Sequence, residues 1–500
     1  MIGLGEALQD KAQVLDADIR RAAVERARER AIVLPTFAQL AGEEPIPQRA
    51  LERLADVDPD AADPSNLWRV NWFNDAGRRG RSDVPSYVVL PAALTGVRTP
   101  IVVLLGARFP MIGAHKVLPA YAGLVTQLVS GRFNPDRHRA IWPSTGNYCR
   151  GGVAISRILG CAGVAVLPEG MSRERYEWLE RWVADPSHIV RTVGTESNVK
   201  EIYDKCHELA LSDENVILNQ FSAFPNYLAH HVCTGGACDR VFFDFAAAHA
   251  GARLAAFVSA TGSAGTIAAG DRLKSTHGTR IAAVEAVECP TLLENGYGEH
   301  NIQGIGDKHV PLIHNVMNLD FVIGISDRST DLLNLLFNAD GMRFRLARRF
   351  GLEEAQLSFL DEIGISGIAN ILAAIRLAKY MDYGSDDVVM TIATDGAGLY
   401  RSELETLERK EFGGGISDAD IAAVLATHLG ASAGPHLLET DARERRRIFN
   451  LGYYTWVEQQ GVTADDFEAR RDQSFWRGVA QSAPDWDALI TSFNAEVGLN

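Results

Sequence analysis

The sequence predicts an α/β protein built on parallel sheet, and three observations carry that reading. Short apolar runs rich in Val, Ile and Leu alternate with longer stretches of helical spacing through the middle of the chain. Loops of small and hydroxyl residues follow some of these runs and open the next helix, as at residues 144–148 and 261–266. Five hundred residues exceed one ordinary core and suggest two or three structural units.

Taken in order, residues 5–32 have helical spacing and dense charge, which predicts a solvated amphipathic helix. Residues 33–80 are proline-bearing and irregular, with an aromatic cluster of Trp68, Trp72 and Phe73. Residues 87–90 and 101–105 read as buried strands, followed by a helix from residue 117 to 129. A small-residue helix through Ala154, Ile155 and Leu159 leads to a strand at 163–168. Residues 254–259, 281–285 and 388–393 continue the strand pattern. Beyond residue 405 the pattern changes to helices over 417–498, with capping signals at Ser417-Asp418 and Thr463-Ala464-Asp465. Gly413-Gly414-Gly415 makes the boundary. The expected division is an extension over 1–80, a catalytic core over 81–405 and a helical extension over 406–500. The last is read as a packing or dimerisation appendage, with a regulatory domain as the alternative.

Composition narrows the function. With 46% hydrophobic and 23% charged residues the chain is globular, and a net charge of −15 argues against a nucleic-acid or anionic-membrane surface as main partner. Six cysteines without C-x-x-C spacing suggest neither a disulfide scaffold nor a zinc ribbon. The first thirty residues lack the apolar centre of a signal peptide, and no apolar run approaches the roughly 20 residues that span a bilayer. The expectation is a reduced, cytoplasmic protein.

Three segments carry chemistry. Lys116 stands between Phe109-Pro110-Met111-Ile112-Gly113-Ala114 and an apolar helix, so burial at a strand-to-helix junction is expected to lower its pKa and make the amine nucleophilic. Ser144-Thr145-Gly146-Asn147-Tyr148 puts hydroxyls and backbone N–H groups at a helix N-terminus, which favours a carboxylate; an ordinary N-cap uses the same residue types. Gly151 and Gly152 would let the following helix approach closely. Thr261-Gly262-Ser263-Ala264-Gly265-Thr266 exposes successive N–H groups suited to a phosphate, without a Walker or dinucleotide fingerprint. A lysine amine, a carboxylate nest and a phosphate cradle in this order point to pyridoxal phosphate chemistry.

These segments resemble the cysteine synthase/cystathionine β-synthase family, fold type II of the pyridoxal phosphate enzymes. Lys116 and Ser144–Tyr148 are similar to that family's Schiff-base lysine and Thr-Ser-Gly-Asn-Thr loop. Further similarity lies in Asn219-Gln220-Phe221-Ser222, in His300-Asn301-Ile302-Gln303-Gly304-Ile305-Gly306, in Gly364-Ile365-Ser366-Gly367 and in Thr394-Asp395-Gly396. The resemblance covers about residues 85–405 and implies two three-layer α/β units with the cofactor between them, the smaller and mobile one within about 113–240. It implies that Lys116 forms the internal aldimine and shuttles the α-proton, that Asn147 bonds the cofactor's ring hydroxyl, and that Gly262, Ser263, Ala264, Gly265 and Thr266 cradle the phosphate. Ser144, Thr145, Tyr148 and Gln220 are expected to bind substrate, with Gly304 and Ile305 lining its side of the pocket. For the group facing the pyridine nitrogen, Thr394 and Asp395 both stand. The resemblance also implies a homodimer acting on a small-molecule amino acid.

The departures bear on substrate. Tyr148 replaces a threonine and adds a phenol, and Asp307-Lys308-His309 brings charge next to the expected pocket. His300 and His309 read as loop histidines rather than metal ligands. The family's entry motif before the lysine is missing, and both terminal extensions are foreign to the minimal enzyme. The expected reaction is β-elimination through an aminoacrylate, followed by addition of a nucleophile. A lyase or deaminase releasing a 2-oxo acid and ammonia is the alternative, and a non-catalytic cofactor-binding regulator is a third reading.

Overall fold

The structure is a computed structural model and describes residues 11–430, Gly434 and 436–499. Eleven strands are found among them: β1 (Tyr87–Val89), β2 (Ile101–Leu105), β3 (Arg139–Pro143), β4 (Ala162–Pro168), β5 (Ile189–Thr192), β6 (Asn215–Ile217), β7 (Arg253–Ala260), β8 (Arg280–Ala286), β9 (Phe321–Ile325), β10 (Asp387–Ala393) and β11 (Leu437–Glu439). They form two sheets, in the orders β1-β2-β10-β7-β8-β9-β11 and β5-β4-β3-β6. The smaller sheet is parallel throughout. In the larger one β2, β10, β7, β8 and β9 run parallel, and antiparallel β1 and β11 close its edges. Central strands such as β2 (Ile-Val-Val-Leu-Leu) are buried at every position, because helices cover both faces of a parallel sheet.

The helices that matter for the site follow the predicted apolar runs. Val117–Val129 begins directly after Lys116 and is almost wholly buried. Asn147–Leu159 begins at the hydroxyl-rich turn after β3. The paired glycines of this second helix allow two close approaches. A methyl at Gly152 would lie 2.0 Å from the Trp142 ring, and one at Gly151 would lie 3.0 Å from the Val117 backbone. No single helix among the described residues is long and apolar enough to cross a bilayer.

The N-terminal helix is shorter than its charge pattern predicts. It runs over Ala17–Glu29, capped by the Asp16 carboxylate, and residues 5–10 of the expected helix lie outside the described residues. It is not solvated on every side: Arg20, Ala23, Val24 and Ala27 are buried against the C-terminal helix Ala483–Val497. Leu34 N–H donates to Asn494 Oδ1 at 2.9 Å, and Asn494 Nδ2 donates to Leu34 O at 2.8 Å. Asp487 accepts from the N–H groups of Phe37 and Ala38 at 2.6 and 3.1 Å. Tyr121, on the helix behind Lys116, donates its hydroxyl to Pro35 O at 2.5 Å. The two ends of the chain thus clasp the helix that carries the lysine.

The C-terminal extension contains the expected helices and also a strand, since β11 pairs with β9. The predicted caps form at Ser417, in a capping box with Asp420, and at Thr463. Farther along, Trp456 Nε1 donates to Val310 O at 2.8 Å and Arg470 Nη1 to Leu312 O at 2.6 Å. The tail therefore also fastens the loop that follows residues 300–307.

Asn494→Leu tests the clasp. Replacement leaves the buried Leu34 N–H and C=O without partners, and each orphaned group costs about 1–3 kcal/mol. Urea unfolding should report a loss of about 2–4 kcal/mol; an unchanged midpoint would show that the terminal pairing adds nothing to stability.

Candidate active site

The predicted segments converge at the carboxyl ends of the parallel strands, where open α/β sheets bind ligands. The 144–148 turn follows β3, Gln220 follows β6, the 261–266 loop follows β7 and Thr394 follows β10. Lys116 is brought in by pairing with the last of these, since His115 N–H donates to Thr394 O at 3.1 Å and Ala114 bridges to Asp395.

Two adjoining cavities result. Lys116, Gly262, Gly304 and Thr394 line both. Ser144, Thr145, Asn147, Tyr148, Gln220 and Ser263 line the first, while Ala264, Gly265, Thr266 and Ile305 line the second. Of the residues expected to hold cofactor or substrate, Asp395 alone lines neither. It lies behind Asn147, whose Nδ2 donates to its Oδ2 at 2.6 Å, and Tyr400 donates to the same oxygen at 3.0 Å. A wider, open cleft of about 1120 Å³ lies beyond Arg150, lined by Asp60, Arg78, Trp178 and Trp182, and contains none of these residues.

The Lys116 side chain is half-buried, and its amine donates to Ser263 Oγ at 3.3 Å. Burial pulls its pKa down to about 8, against a smaller upward pull from the Asp307 carboxyl. His115 beside it bonds Thr266 Oγ1 at 3.0 Å, and burial together with the lysine charge pushes its pKa well down. Asn147 is committed at both ends, with Arg150 Nη1 donating to its Oδ1 at 2.9 Å. Tyr148 lines the first cavity, but its ring is edge-on to Trp142 at 5.4 Å and its hydroxyl is directed at Gly123. The added phenol thus packs into the core around the helix that follows the lysine.

The 261–266 loop fits a phosphate. Among the described residues, the backbone N–H groups of Gly262, Ser263, Ala264 and Thr266 find no protein acceptor. Ala264 has φ +59°, which turns successive N–H groups to one side. Bulk is excluded around it: a methyl at Gly262 would lie 2.8 Å from Gly304 O, and one at Gly265 would lie 2.1 Å from Asn226 Oδ1. Unpaired donors in a cradle too tight for side chains, beside a desolvated amine, are what pyridoxal phosphate requires of its site.

Ser366, Glu196 and Asp307 are among the lining residues given no role from sequence. Ser366, in the Gly-Ile-Ser-Gly turn that opens the helix Ile365–Tyr380, lines the same cavity as Thr394 and adds a hydroxyl to it. Glu196, in the loop after β5, accepts a short hydrogen bond from Thr145 Oγ1. Burial raises its pKa to about 7, opposed by Arg175, by the Thr145 hydroxyl and by the Gly304 amide. Asp307 is buried against the same space, and burial plus the Glu196 charge hold its carboxyl well above the usual range. The Gly-Ile-Ser-Gly motif could have identified Ser366; the Thr-Glu-Ser-Asn segment around Glu196 carries no signal.

The low amine pKa has a direct consequence. Trapping of Lys116 in cofactor-free protein by an aldehyde and borohydride should rise with pH around a midpoint near 8, because only the neutral amine attacks. A midpoint near 10.5, read by peptide mass spectrometry, would contradict the desolvated environment.

Comparison with known proteins agrees with this geometry. Residues 91–343 match the family described as pyridoxal-phosphate dependent enzyme. Cysteine synthase B of Campylobacter jejuni is 30% identical over 257 residues, covering 50% of this chain and 75% of that protein. A probable cysteine synthase of Bacillus subtilis is 29% identical over 293 residues, covering 58% and 85%. Among solved structures, O-acetyl serine sulfhydrylase isoform 3 of Entamoeba histolytica superposes with TM-score 0.53 at 22% identity, covering 68% of this chain and 92% of that one. A hydrogen sulfide-producing enzyme of Fusobacterium nucleatum gives 0.52 at 21% identity, covering 66% and 98%. The chain belongs to the pyridoxal-phosphate dependent enzymes, as a divergent fold type II member of the cysteine synthase/cystathionine β-synthase superfamily with additional residues beyond the common core.

Proposed function

We propose that the protein catalyses β-elimination, completed by β-replacement, on a β-substituted amino acid, with the cofactor held at Lys116. The observation that carries this reading is the Lys116 amine, its pKa pulled down to about 8, set between a carboxylate-binding turn and a loop of free backbone donors. Bound there, pyridoxal phosphate supplies an electron sink for the bonds at the substrate's α-carbon.

The chain's own residues divide the remaining work. Gly262, Ser263, Ala264, Gly265 and Thr266 would hold the phosphate through their N–H groups. Asn147 would orient the ring, and a hydroxyl of Thr394 or Ser366 would face its nitrogen. Thr394 is favoured over Asp395 because Asp395 lies behind Asn147, outside the cavity lining. A neutral hydroxyl there leaves the nitrogen largely unprotonated, which favours loss of a β-substituent over transamination. Ser144 and Thr145, at the N-terminus of the helix Asn147–Leu159, would take the substrate carboxylate with Gln220. Lys116, with a pKa near 8, can take the α-proton as neutral amine and return it as ammonium near neutral pH. The enclosed cavity excludes bulk water from this exchange.

The same reading makes the smaller sheet and its helices, within about 113–240, the unit that closes over substrate. Six free cysteines, five of them buried, support a reducing compartment. A homodimer rests on the family resemblance, and light scattering reads it directly.

The test is the visible spectrum of the holoprotein and of Lys116→Ala, alone and with O-acetylserine, serine or cysteine. A visible band that requires Lys116 and shifts with one of these amino acids is expected, with turnover falling about 10²–10⁴-fold in the variant. Added thiol should yield a thioether amino acid; pyruvate and ammonia in its presence would assign the protein to the lyases. No band after reconstitution would overturn the reading.

A further inference from the structure

The first cavity has a wall that the proposed chemistry uses only through Gln220, whose amide N–H would meet the substrate carboxylate. Glu196, Gln220 and Asp307 line it, with 2%, 5% and 7% of their surface exposed. Each carries a buried oxygen without a hydrogen-bond partner: Glu196 Oε2, Gln220 Oε1 and Asp307 Oδ2. Among the described residues no arginine or lysine forms an ion pair with either carboxyl. Arg175, the nearest guanidinium acting on Glu196, spends its Nη groups on Ser172 Oγ and Tyr400 OH. The cation acting on Asp307 is Lys116, whose amine is turned to Ser263 Oγ and would be consumed in holding the cofactor.

An unpaired acceptor in a dry site is costly, and two carboxyls facing one space are more so. Three such acceptors lining one cavity complement a group that is all donor. An ammonium has three donors, no acceptor and the charge that two carboxyls lack. A sulfide, an acetate or another carboxylate would bring negative charge and no matching set of donors. Thr145 already donates to Glu196 Oε1, so the outer oxygen Oε2 remains for a ligand while the carboxylate-binding turn is held in place. Further groups acting on this pair are Glu403, which adds negative potential at Glu196, and the Gly304 amide, which lowers it.

We propose that the end of the cavity bounded by Glu196, Gln220 and Asp307 is a subsite for a positively charged nitrogen on the side chain of the bound amino acid, as reactant or product. The inference deepens the β-carbon reading above and rests on it. It predicts that one of the two groups exchanged at the β-carbon is an amine.

L-2,3-diaminopropionate and L-serine differ only in carrying ammonium or hydroxyl on the β-carbon, and they make the test. Their dissociation constants for the holoenzyme are read from the shift of the cofactor's absorbance, with L-cysteine as a third probe. Diaminopropionate should bind at least about tenfold tighter than serine or cysteine. Glu196→Gln and Asp307→Asn, checked for folding by circular dichroism, should each bring that ratio to within about threefold of unity. Equal affinities in the unmodified enzyme, or a preference that survives both substitutions, would overturn the subsite. A cofactor band that shifts with none of the amino acids would instead overturn the reading on which it rests, and the subsite with it.

Discussion

The hydrogen bond from Asn147 Nδ2 to Asp395 Oδ2, 2.6 Å long and buried, ties the small sheet to the large one. It is the centre of a chain running from Ile112 O through Arg150 to Asn147, and from Asp395 through Tyr400 to Arg175. Such a network is stable only when complete, because each member is desolvated and the two guanidinium groups require the carboxylate. Burial raises the proton affinity of Asp395, while Arg175, Arg150, Asn147 and Tyr400 all pull it back. The network lies under the floor of the site and fixes where the 144–148 turn stands relative to the end of β10. The rim is joined more sparingly, by the Thr145–Glu196 contact and the Gly304 amide. A firmly tied floor and a lightly tied rim give a cleft whose geometry is set at its base.

The cavity above that floor gathers ionisable groups that have few partners. Here a lysine is half-buried with one hydroxyl partner, and two carboxyls are buried with orphaned oxygens. A protein retains such groups where a ligand completes them, and folding stability alone would remove them. The perturbations share one cause: loss of water pushes Lys116 down and Glu196 up, toward neutral forms near pH 7–8. Protons are therefore exchangeable in this space at little cost.

What could be read from the sequence was what backbone geometry imposes on residue type. The β2, β7, β8 and β10 strands followed from unbroken apolar runs, and the 261–266 loop from a series of small residues that the Gly304 and Asn226 contacts make obligatory. Lys116 was legible because an amine before an apolar helix has nowhere polar to go. The orientation of neighbours was not. Thr394 and Asp395 are adjacent, yet one faces the cavity and the other the floor network, a difference set by the last turn of β10. Tyr148 promised a phenol at the substrate, but Gly123 leaves room for its hydroxyl in the core. Glu196 meets Thr145 across 51 residues, and nothing in its local pattern encodes that partner.

The terminal extensions are the least legible part, for the same reason carried further. Asn494 meets Leu34 across 460 residues, and helical periodicity states which face is apolar without stating what covers it. Their placement relative to the site nonetheless has a consistent physical logic. The N-terminal segment and the C-terminal helix enclose Val117–Val129, the helix whose first turn sets the lysine, through Tyr121, Arg20 and Asp487. Trp456 and Arg470 seize the carbonyls of Val310 and Leu312, a few residues beyond Asp307. Both the amine and the unpaired carboxyl are thus backed by chain that the matched family region, residues 91–343, does not contain. Buried groups at odds with their surroundings need rigid support to stay buried rather than relax toward water. The extra residues supply that support at the two places where the cavity is electrostatically most strained.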